Sequence, residues 1–596
     1  MCGILGQINV NWPGTSLPQL SRLSHRGPDG EGEWTNGNGN VYLGHTRLAI
    51  LDPTLAGRQP MSDASQRFML TFNGEIYNHL DLRPMMPSVR WRGTSDTETL
   101  IELFAHKGLE ALPLLKGMFA FAIYDDTDHS VLLVRDRLGI KPLWFRSQEK
   151  TFSFASEVRA LLRPDESVPD RQALSEYLGF GRMPGNGEIF NGMHAISPGG
   201  WTRLSGNGHI EKGCWWNGRL TSPKVQGRIE CVQQVNQLVT TAIKEHLISD
   251  VGVGAFLSGG IDSSIVALVA GKELGKKLKT FTVGFPQGDY DERLIARRVA
   301  DRAGSEHCEL EIGEDACLSW VKEAVLCLDL PSVDAINTFI VSKAVRNTGL
   351  KVALSGLGGD ELFGGYPSFK NVPWLNWLGA LPINISRQLV NIMPQNLKDK
   401  FGGLTGFTTS ELTVSRRRFT SVASLRGMGL GDGVPAIPKA PMDLDTMGKI
   451  SWAEMQGYMI PMLLRDSDQM SMAVGLEIRV PFLDHRLVEG VLGFPQKYKK
   501  GRGVKPLLVD AFRADLPREV YDRPKQGFSL PMADWIHGPL AEFTSNGVTA
   551  AADLLGLSEP LRQRDLFKAG ILHWTRVWNW SVLGHWLSKQ KTVNEN

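Results

Sequence analysis

Cys2 follows Met1, and removal of that methionine would place a thiol and a free α-amine on one residue. An α-amine titrates near ~8 and a free thiol near ~8.5, so the amine can take the thiol proton directly or through water. Three segments carry groups that such a nucleophile needs. His25-Arg26-Gly27-Pro28-Asp29-Gly30 is a turn-rich loop, and His45-Thr46-Arg47-Leu48 sets a guanidinium after a strand. Thr71-Phe72-Asn73-Gly74-Glu75-Ile76-Tyr77-Asn78 ends a strand on an amide and an exposed glycine N–H. Attack on a carboxamide makes a tetrahedral oxyanion, which a donor amide at Asn73 and the N–H of Gly74 can hold. An amino-acid substrate would offer its α-carboxylate to Arg47 and its α-ammonium to Glu75 and Asp96.

A second group lies far along the chain. Phe256-Leu257-Ser258-Gly259-Gly260-Ile261-Asp262-Ser263-Ser264 reads as a strand, a glycine-rich turn and a helix start. Backbone N–H groups there, with the positive helix end, suit nucleotide phosphates. The Gly-Lys-Ser/Thr of a conventional P-loop is absent. An apolar run enters a second such junction, Ser355-Gly356-Leu357-Gly358-Gly359-Asp360-Glu361-Leu362-Phe363-Gly364-Gly365-Tyr366. Asp262 and Asp360 are hard anionic ligands that can hold Mg²⁺ on phosphate oxygens.

The N-terminal segments resemble the class II glutamine amidotransferase domain, an N-terminal-nucleophile (Ntn) hydrolase fold found in asparagine synthetases. The resemblance implies that Cys2 is nucleophile and base, Asn73 and Gly74 the oxyanion hole, and Arg47, Glu75 and Asp96, with Asn73 and Gly74, the glutamine site. The S-G-G-x-D-S-S run is similar to the pyrophosphate loop of ATP pyrophosphatases. Asp468-Gln469-Met470-Ser471-Met472, Glu477 to Asp484 and Lys505 also resemble the asparagine synthetase synthase domain. By that likeness ATP would meet Leu257, Ser258, Gly259, Gly260, Asp262, Ser263, Ser264, Val283, Ser355, Gly356 and Asp360, and Lys505 would neutralise phosphate charge as it builds. The implied substrates are glutamine, ATP and a carboxylate, the products glutamate, AMP, pyrophosphate and an amide, with ammonia carried along a dry passage between the sites.

The chain departs from the family at two places. Leu357 stands where asparagine synthetases usually carry glutamate, in S-G-E-G-x-D-E, and leucine transfers no proton. The segment from Asp329 to Thr338 has no guanidinium to clamp an aspartate α-carboxylate. The acceptor therefore stays open between aspartate and another carboxylate in a modified sugar, peptide or small metabolite.

Two domains are expected to position these groups. At 596 residues the chain exceeds the span of one core, which stops growing near ~250–300 residues. Residues 1–200 show short apolar segments punctuated by Gly, Asn and Asp, such as Arg67 to Phe72 and Met118 to Tyr124, the marks of an antiparallel β-rich domain. Its clearest helix runs from Asp96 to Lys107 after a Ser95 cap. The resemblance makes this domain an Ntn αββα sandwich. Residues 201–228, rich in Gly, Pro and Trp, read as a linker. From 229 to 596 the pattern becomes helix, strand, helix, strand: Val253 to Leu257, Ile261 to Ala270, Thr280 to Phe285, Glu292 to Ala303, His307 to Ile312 and Lys351 to Leu354. That alternation predicts a doubly wound parallel sheet, with ligands at the strands' carboxyl ends. The fold class is thus α/β and α+β, the second domain being adenine nucleotide alpha hydrolase-like by resemblance, with a helical insertion over residues 370–450.

Lys plus Arg (65) nearly cancels Asp plus Glu (63), which leaves no electrostatic footprint for nucleic acid or an acidic membrane. The six cysteines show no C-x-x-C pair and no zinc spacing. The apolar stretch from Trp374 to Ile385 is broken by Pro382 and is shorter than the ~20 residues of a membrane span. Trp574 and Trp578 share helical spacing, which predicts core packing. These features predict a cytoplasmic enzyme, with a homodimer as one state open to it. Two rivals are a regulatory glutaminase with an inert synthase half and a tRNA-modifying ATP pyrophosphatase, the latter opposed by the charge balance.

Overall fold

The computed structural model describes residues 2–9, 19–148, 151–163, 166, 168–185, 187–218, 225–284, 292–441, 443–523 and 530–595. Met1 and Phe285, both part of the sequence-based expectations, lie outside them.

The N-terminal half is two antiparallel sheets face to face. One has seven strands in the order Glu188–Phe190, Met193–Ala195, Trp144–Gln148, Thr151–Ala155, Gly3–Asn9, Val41–Arg47 and Gly30–Thr35. The other has six, Ile210–Cys214, Gly200–Leu204, Ser130–Arg135, Gly117–Asp125, Phe68–Ile76 and Met61–Ser62. Alternation along each strand sends one side inward, and Ile4, Leu43 and Phe154 of the first sheet meet Ala122 and Leu133 of the second in a shared core. The helix Asp96–Lys107 covers the outer face of the second sheet, packing Leu100, Ile101 and Phe104 against Phe72 and Phe121. Its start is set by Ser95, whose hydroxyl accepts the Glu98 N–H, and its end by Gly108 at φ 56°. The helix Arg171–Phe180 lies in the core under the first sheet, which completes the αββα sandwich.

The expected linker over residues 201–228 is corrected here. Gly200–Leu204 and Ile210–Cys214 pair with each other, and the first also pairs with Ser130–Arg135, so they are the last strands of the second sheet. The glycines and tryptophans that suggested a connection instead make a tight hairpin whose Trp201 ring packs over Gly213.

The second half carries a five-stranded sheet in the order Glu306–Glu311, Lys279–Gly284, Val253–Phe256, Val352–Leu354, Glu477–Arg479, parallel throughout. The chain winds outward from Val253–Phe256 to one edge and returns to Val352–Leu354 at its other side. The order therefore reverses between those two strands, and their carboxyl ends open a crevice there. Helices Arg228–Glu245 and Ile261–Leu274 bury Val235, Ile243, Ile265 and Val269 against the sheet. The insertion is helical as expected, from Ser368–Leu375 to Thr446–Glu454. It continues into a π-helical stretch, Met455–Leu464, where Pro461 supplies no N–H. Trp578, Trp580 and Trp586 of the last helix, Trp574–Glu595, are buried in the core. No helix of the described residues is long and apolar enough to cross a membrane.

Candidate active sites

Cys2 stands at the end of the strand Gly3–Asn9, buried to 9 % exposure. Its backbone nitrogen donates to Asn73 Oδ1 at 2.9 Å, and its carbonyl accepts Arg26 Nε at 3.1 Å. The same Asn73 leaves its Nδ2 buried with no partner among the described residues. An unpaired buried amide costs free energy unless something accepts from it, so Asn73, held on the Cys2 backbone nitrogen, presents a free donor there. Gly74 follows at φ 155°, and a Cβ there would fall 2.2 Å from the Met118 carbonyl oxygen. Only glycine fits that position.

The anchors expected around the thiol converge. Arg47 is aimed by its bonds to the carbonyls of Thr54, at 2.8 Å, and Asp52, and has no carboxylate within ion-pair distance among the described residues. Asp96 accepts the Ile76 N–H at 2.8 Å, which ties the helix start to the strand end that carries Glu75. Burial pushes the Asp96 carboxyl up to about 6 and lifts Glu75 well above its ordinary range, with Glu477 and Asp96 adding to the shift. Burial also raises the Cys2 thiol, while Arg47 acts in the opposite sense.

Glu75 faces Arg479 of the five-stranded parallel sheet at 3.5 Å. Arg479 is fully buried, pairs with Glu477 at 2.6 Å, and donates to the His246 and Ile248 carbonyls. Its own carbonyl accepts the Ser355 N–H at 2.8 Å. One residue thus touches the cysteine site with its side chain and the nucleotide loop with its backbone. A second buried bridge joins the halves: Arg26 pairs with Glu157 at 2.7 Å and with Asp468 at 2.8 Å, and Lys141 approaches Asp468 at 3.7 Å. The partners lie hundreds of residues apart, and no local pattern announces such a pair. Arg479→Met should lower unfolding stability by about 3–5 kcal/mol by stranding Glu477 and Glu75. Denaturant titration checks this, and adding Glu477→Gln should restore part of the loss.

At the crevice, Val253–Phe256 runs through Ser258, Gly259 and Gly260 into the helix Ile261–Leu274. Ser263 Oγ bonds the Gly260 carbonyl at 3.2 Å and Ser258 Oγ at 3.1 Å, which holds the loop curled. The second loop packs directly on the first: a Cβ on Gly356 would stand 2.7 Å from Asp262 Cβ. Lys505 closes the pocket, its ammonium on Asp262 and, at 2.6 Å, on Asp360. Two cavities open there. One, of about 310 Å³, is lined by Ser258, Gly260, Asp262, Ser263, Asp360 and Lys505. The other, of about 330 Å³, reaches past Leu257 and Val283. Ser355 and Leu357 line both, and Gly356 lines the first. Gly259 and Ser264 stand behind these walls: the Gly259 carbonyl accepts Arg523, a cation on the first cavity that the motif does not mark, and Ser264 is fully buried.

Asp262 and Asp360 converge on one cation, Lys505 Nζ, so the pair already offers a cationic position bounded by hard oxygens. Among the described residues no cluster of three or more His, Cys, Asp or Glu side chains forms a metal cage. Two carboxylates plus nucleotide phosphates is the usual ligand set of Mg²⁺, and the residues fit it.

Asp466 lines the larger cavity, accepts from Ser332 Oγ and from Gln469 Nε2 at 2.9 Å, and is pushed by burial up to about 7. Its ordinary value is ~3.9, so between those values the folded chain holds a proton that the unfolded chain has lost, and stability falls as pH rises through the window. Asp466→Asn removes that loss. Its melting temperature relative to the wild type should rise from about pH 5 to about pH 8, and a flat difference would contradict the assignment.

Comparison with known proteins places the chain in a family. The glutamine amidotransferase domain family matches residues 1–216, and the asparagine synthase family matches residues 234–588. Asparagine synthetase (glutamine-hydrolysing) 1 of Bacillus subtilis is 30 % identical over 92 % of this chain and 89 % of its own length. Asparagine synthetase 3 of the same organism is 31 % identical over 89 % and 87 %, and amidase chry2 of Gibberella zeae is 28 % identical over the same shares. With both family domains in order along one chain and relatives matched almost end to end, the protein belongs to the glutamine-hydrolysing asparagine synthetase family, whose members are ATP-dependent amide ligases.

Proposed function

We propose that the N-terminal sandwich hydrolyses glutamine at Cys2 and that the half beginning at Arg228 adenylates a carboxylate acceptor with ATP and aminates it. Once Met1 is removed, the Cys2 nitrogen that now donates to Asn73 becomes the α-amine that takes the thiol proton. Asn73 Nδ2 and the Gly74 N–H receive the oxyanion, Arg47 the substrate carboxylate, and Glu75 with Asp96 its ammonium. In the crevice Ser258, Gly260 and Ser263 hold pyrophosphate oxygens, with the backbone of Gly259 and Ser264 shaping the turn. Leu257, Val283, Ser355 and Gly356 flank the nucleoside. Mg²⁺ on Asp262 and Asp360 would supply charge to the departing pyrophosphate, and Lys505 stands between the same carboxylates and the reacting phosphate. The acceptor, aspartate or a larger acid, enters beside Leu357.

The observation that carries this reading is the unpartnered Asn73 Nδ2 next to Cys2 together with a loop pair at the sheet's reversal point. Support for the site roles is geometric, and support for the chemistry is membership of the family. The test uses an acceptor whose carboxylate is labelled with heavy oxygen. Adenylation carries one labelled oxygen into AMP; its appearance in orthophosphate instead would sink the assignment.

A further inference from the structure

A third cavity, of about 480 Å³, lies against the nucleotide-side one. Asp334 lines both, and its carboxylate accepts the Tyr458 hydroxyl at 2.9 Å. The π-helical stretch forms the common wall, with Tyr458 and Met462 on the third cavity and Leu463 on the nucleotide side. The insertion supplies Lys400, Arg416, Arg417 and Arg418, the N-terminal half Phe180 and Arg182, and the last helix Trp574 and Trp578.

The charges there do not balance. Arg182 is matched by Glu176, and Arg417 by Glu454 at 2.7 Å. Lys400 and Arg416 have no carboxylate within ion-pair distance among the described residues, and the Lys400 ammonium rests on the Arg416 carbonyl at 2.6 Å. Arg418 spends its terminal nitrogens on the carbonyls of Thr420, Asp432 and Gly433, leaving its Nε without a partner at 6 % exposure. Burial pulls all three cations below their ordinary values. Lys400 and Arg416 are half-buried and Arg418 is buried, and a surplus of positive charge withdrawn from water in this way is costly unless an anion meets it.

Side-chain contacts link the wall of this cavity to the loop that carries Asp360. Arg417 lies 3.5 Å over the Tyr458 ring and 4.5 Å over that of Tyr366, whose hydroxyl bonds Glu361 at 2.7 Å, next to Asp360. The nucleotide-side cavity, in contrast, has no cationic side chain in its lining, Leu357 is apolar, and the segment Asp329 to Thr338 offers no guanidinium. The groups able to grip an acid are one chamber further on.

We propose that this chamber holds the far end of the acceptor: a carboxylic acid longer than aspartate that bears a second acid group, carboxylate or phosphate. The second acid lies among Lys400, Arg416 and Arg418 Nε, and a flat or apolar middle lies between Tyr458 and Trp574. This rests on the amide-ligase reading above and names its substrate class.

The test has a binding arm and a turnover arm, run on the wild type and on the double variant Lys400→Gln/Arg416→Gln, with glutamine hydrolysis as the check that both are folded. Calorimetry with para-carboxyphenyl phosphate should show binding to the wild type and a loss of about 10- to 100-fold in the variant, the effect of removing charged hydrogen bonds to an anion. With ammonium salt and ATP, pyrophosphate release should grow in kcat/KM from succinate to suberate and exceed that with aspartate. The double variant should raise KM for the longer acids, leave kcat in place and leave aspartate unaffected. A phosphate-bearing acid that outperforms the dicarboxylates assigns the second group as phosphate, and the reverse order assigns carboxylate. Equal binding to both proteins, or aspartate as the preferred acceptor with an indifferent variant, overturns the proposal while leaving the ligase reading intact. Charge-dependent binding without pyrophosphate from any acid counts instead against the ligase reading, and with it against the chamber as an acceptor site.

Discussion

Replacing Cys2 by alanine should abolish glutamate formation from glutamine, by at least about 10⁴-fold, because no neighbouring group can replace the thiolate as nucleophile. The same variant should retain its pyrophosphate release with ammonium salt within a factor of about three, because the crevice lies on a different sheet from the thiol and adenylation needs nothing from Cys2. Cys2 is a small residue held by backbone bonds to Asn73 and Arg26, both of which alanine preserves. Fold loss is therefore not expected to blur the outcome. Parallel assays of glutamate and pyrophosphate check it. If ammonium-dependent turnover vanished as well, the two centres would not be separable. Mass spectrometry of the active protein supplies the companion test, since an amine on Cys2 requires the initiator methionine to be gone.

The parts of this architecture written locally were legible in the sequence. Ser95 starts its helix through a side-chain bond to a residue three positions on, and the strand Val253–Phe256 running into Ser258-Gly259-Gly260 is readable because strand, glycine turn and helix start are contiguous in the chain. The alternation of strands and helices after residue 229 likewise dictates a parallel sheet, since parallel strands need a covering crossover. The hairpin of residues 200–214 was misread because its partner strand, Ser130–Arg135, is remote in sequence, and glycine-rich hairpins and linkers share a composition. The buried bridges Arg26–Asp468 and Glu75–Arg479 follow the same logic: each joins residues whose neighbourhood is created only by the packing of the two halves. The basic chamber was missed for that reason too. Arg416-Arg417-Arg418 reads as an ordinary charged run, and only the fold turns it inward against Tyr458 and Trp574.

Those bridges bear on how the two centres communicate. Arg479 meets Glu75 through its guanidinium and the Ser355 N–H through its carbonyl, so one buried residue adjoins both candidate sites. Coupling by this element requires two arrangements of Arg479 with different affinities for the two substrates.

Lys505→Met should cut pyrophosphate release about 10²- to 10³-fold, with glutamine or with ammonium, while glutamine hydrolysis in the absence of ATP is unchanged; the loss matches removal of one preorganised charge from a developing anion. The residue is placed at a cost. It sits at φ 51°, in the left-handed region that a lysine rarely adopts, immediately before the helix Pro506–Phe512. Burial pulls its ammonium down, yet Asp262 and Asp360 more than offset this and hold it above the ordinary lysine value. The ammonium is therefore held as a cation at neutral pH. Methionine preserves much of the side chain's bulk but leaves the two carboxylates facing each other, so the variant should melt lower than the wild type in a chelator. Added Mg²⁺ should then raise its melting temperature more than that of the wild type, because the ammonium no longer competes for the same oxygens. Lys505→Arg separates charge from position: it keeps the cation, but a planar guanidinium does not reproduce a point charge held between two carboxylates, so its activity should fall between those of the wild type and the methionine variant. Equal Mg²⁺ stabilisation of all three proteins would mean that Asp262 and Asp360 do not share a metal position, and the lysine would then have to act on the acceptor side of the phosphate alone.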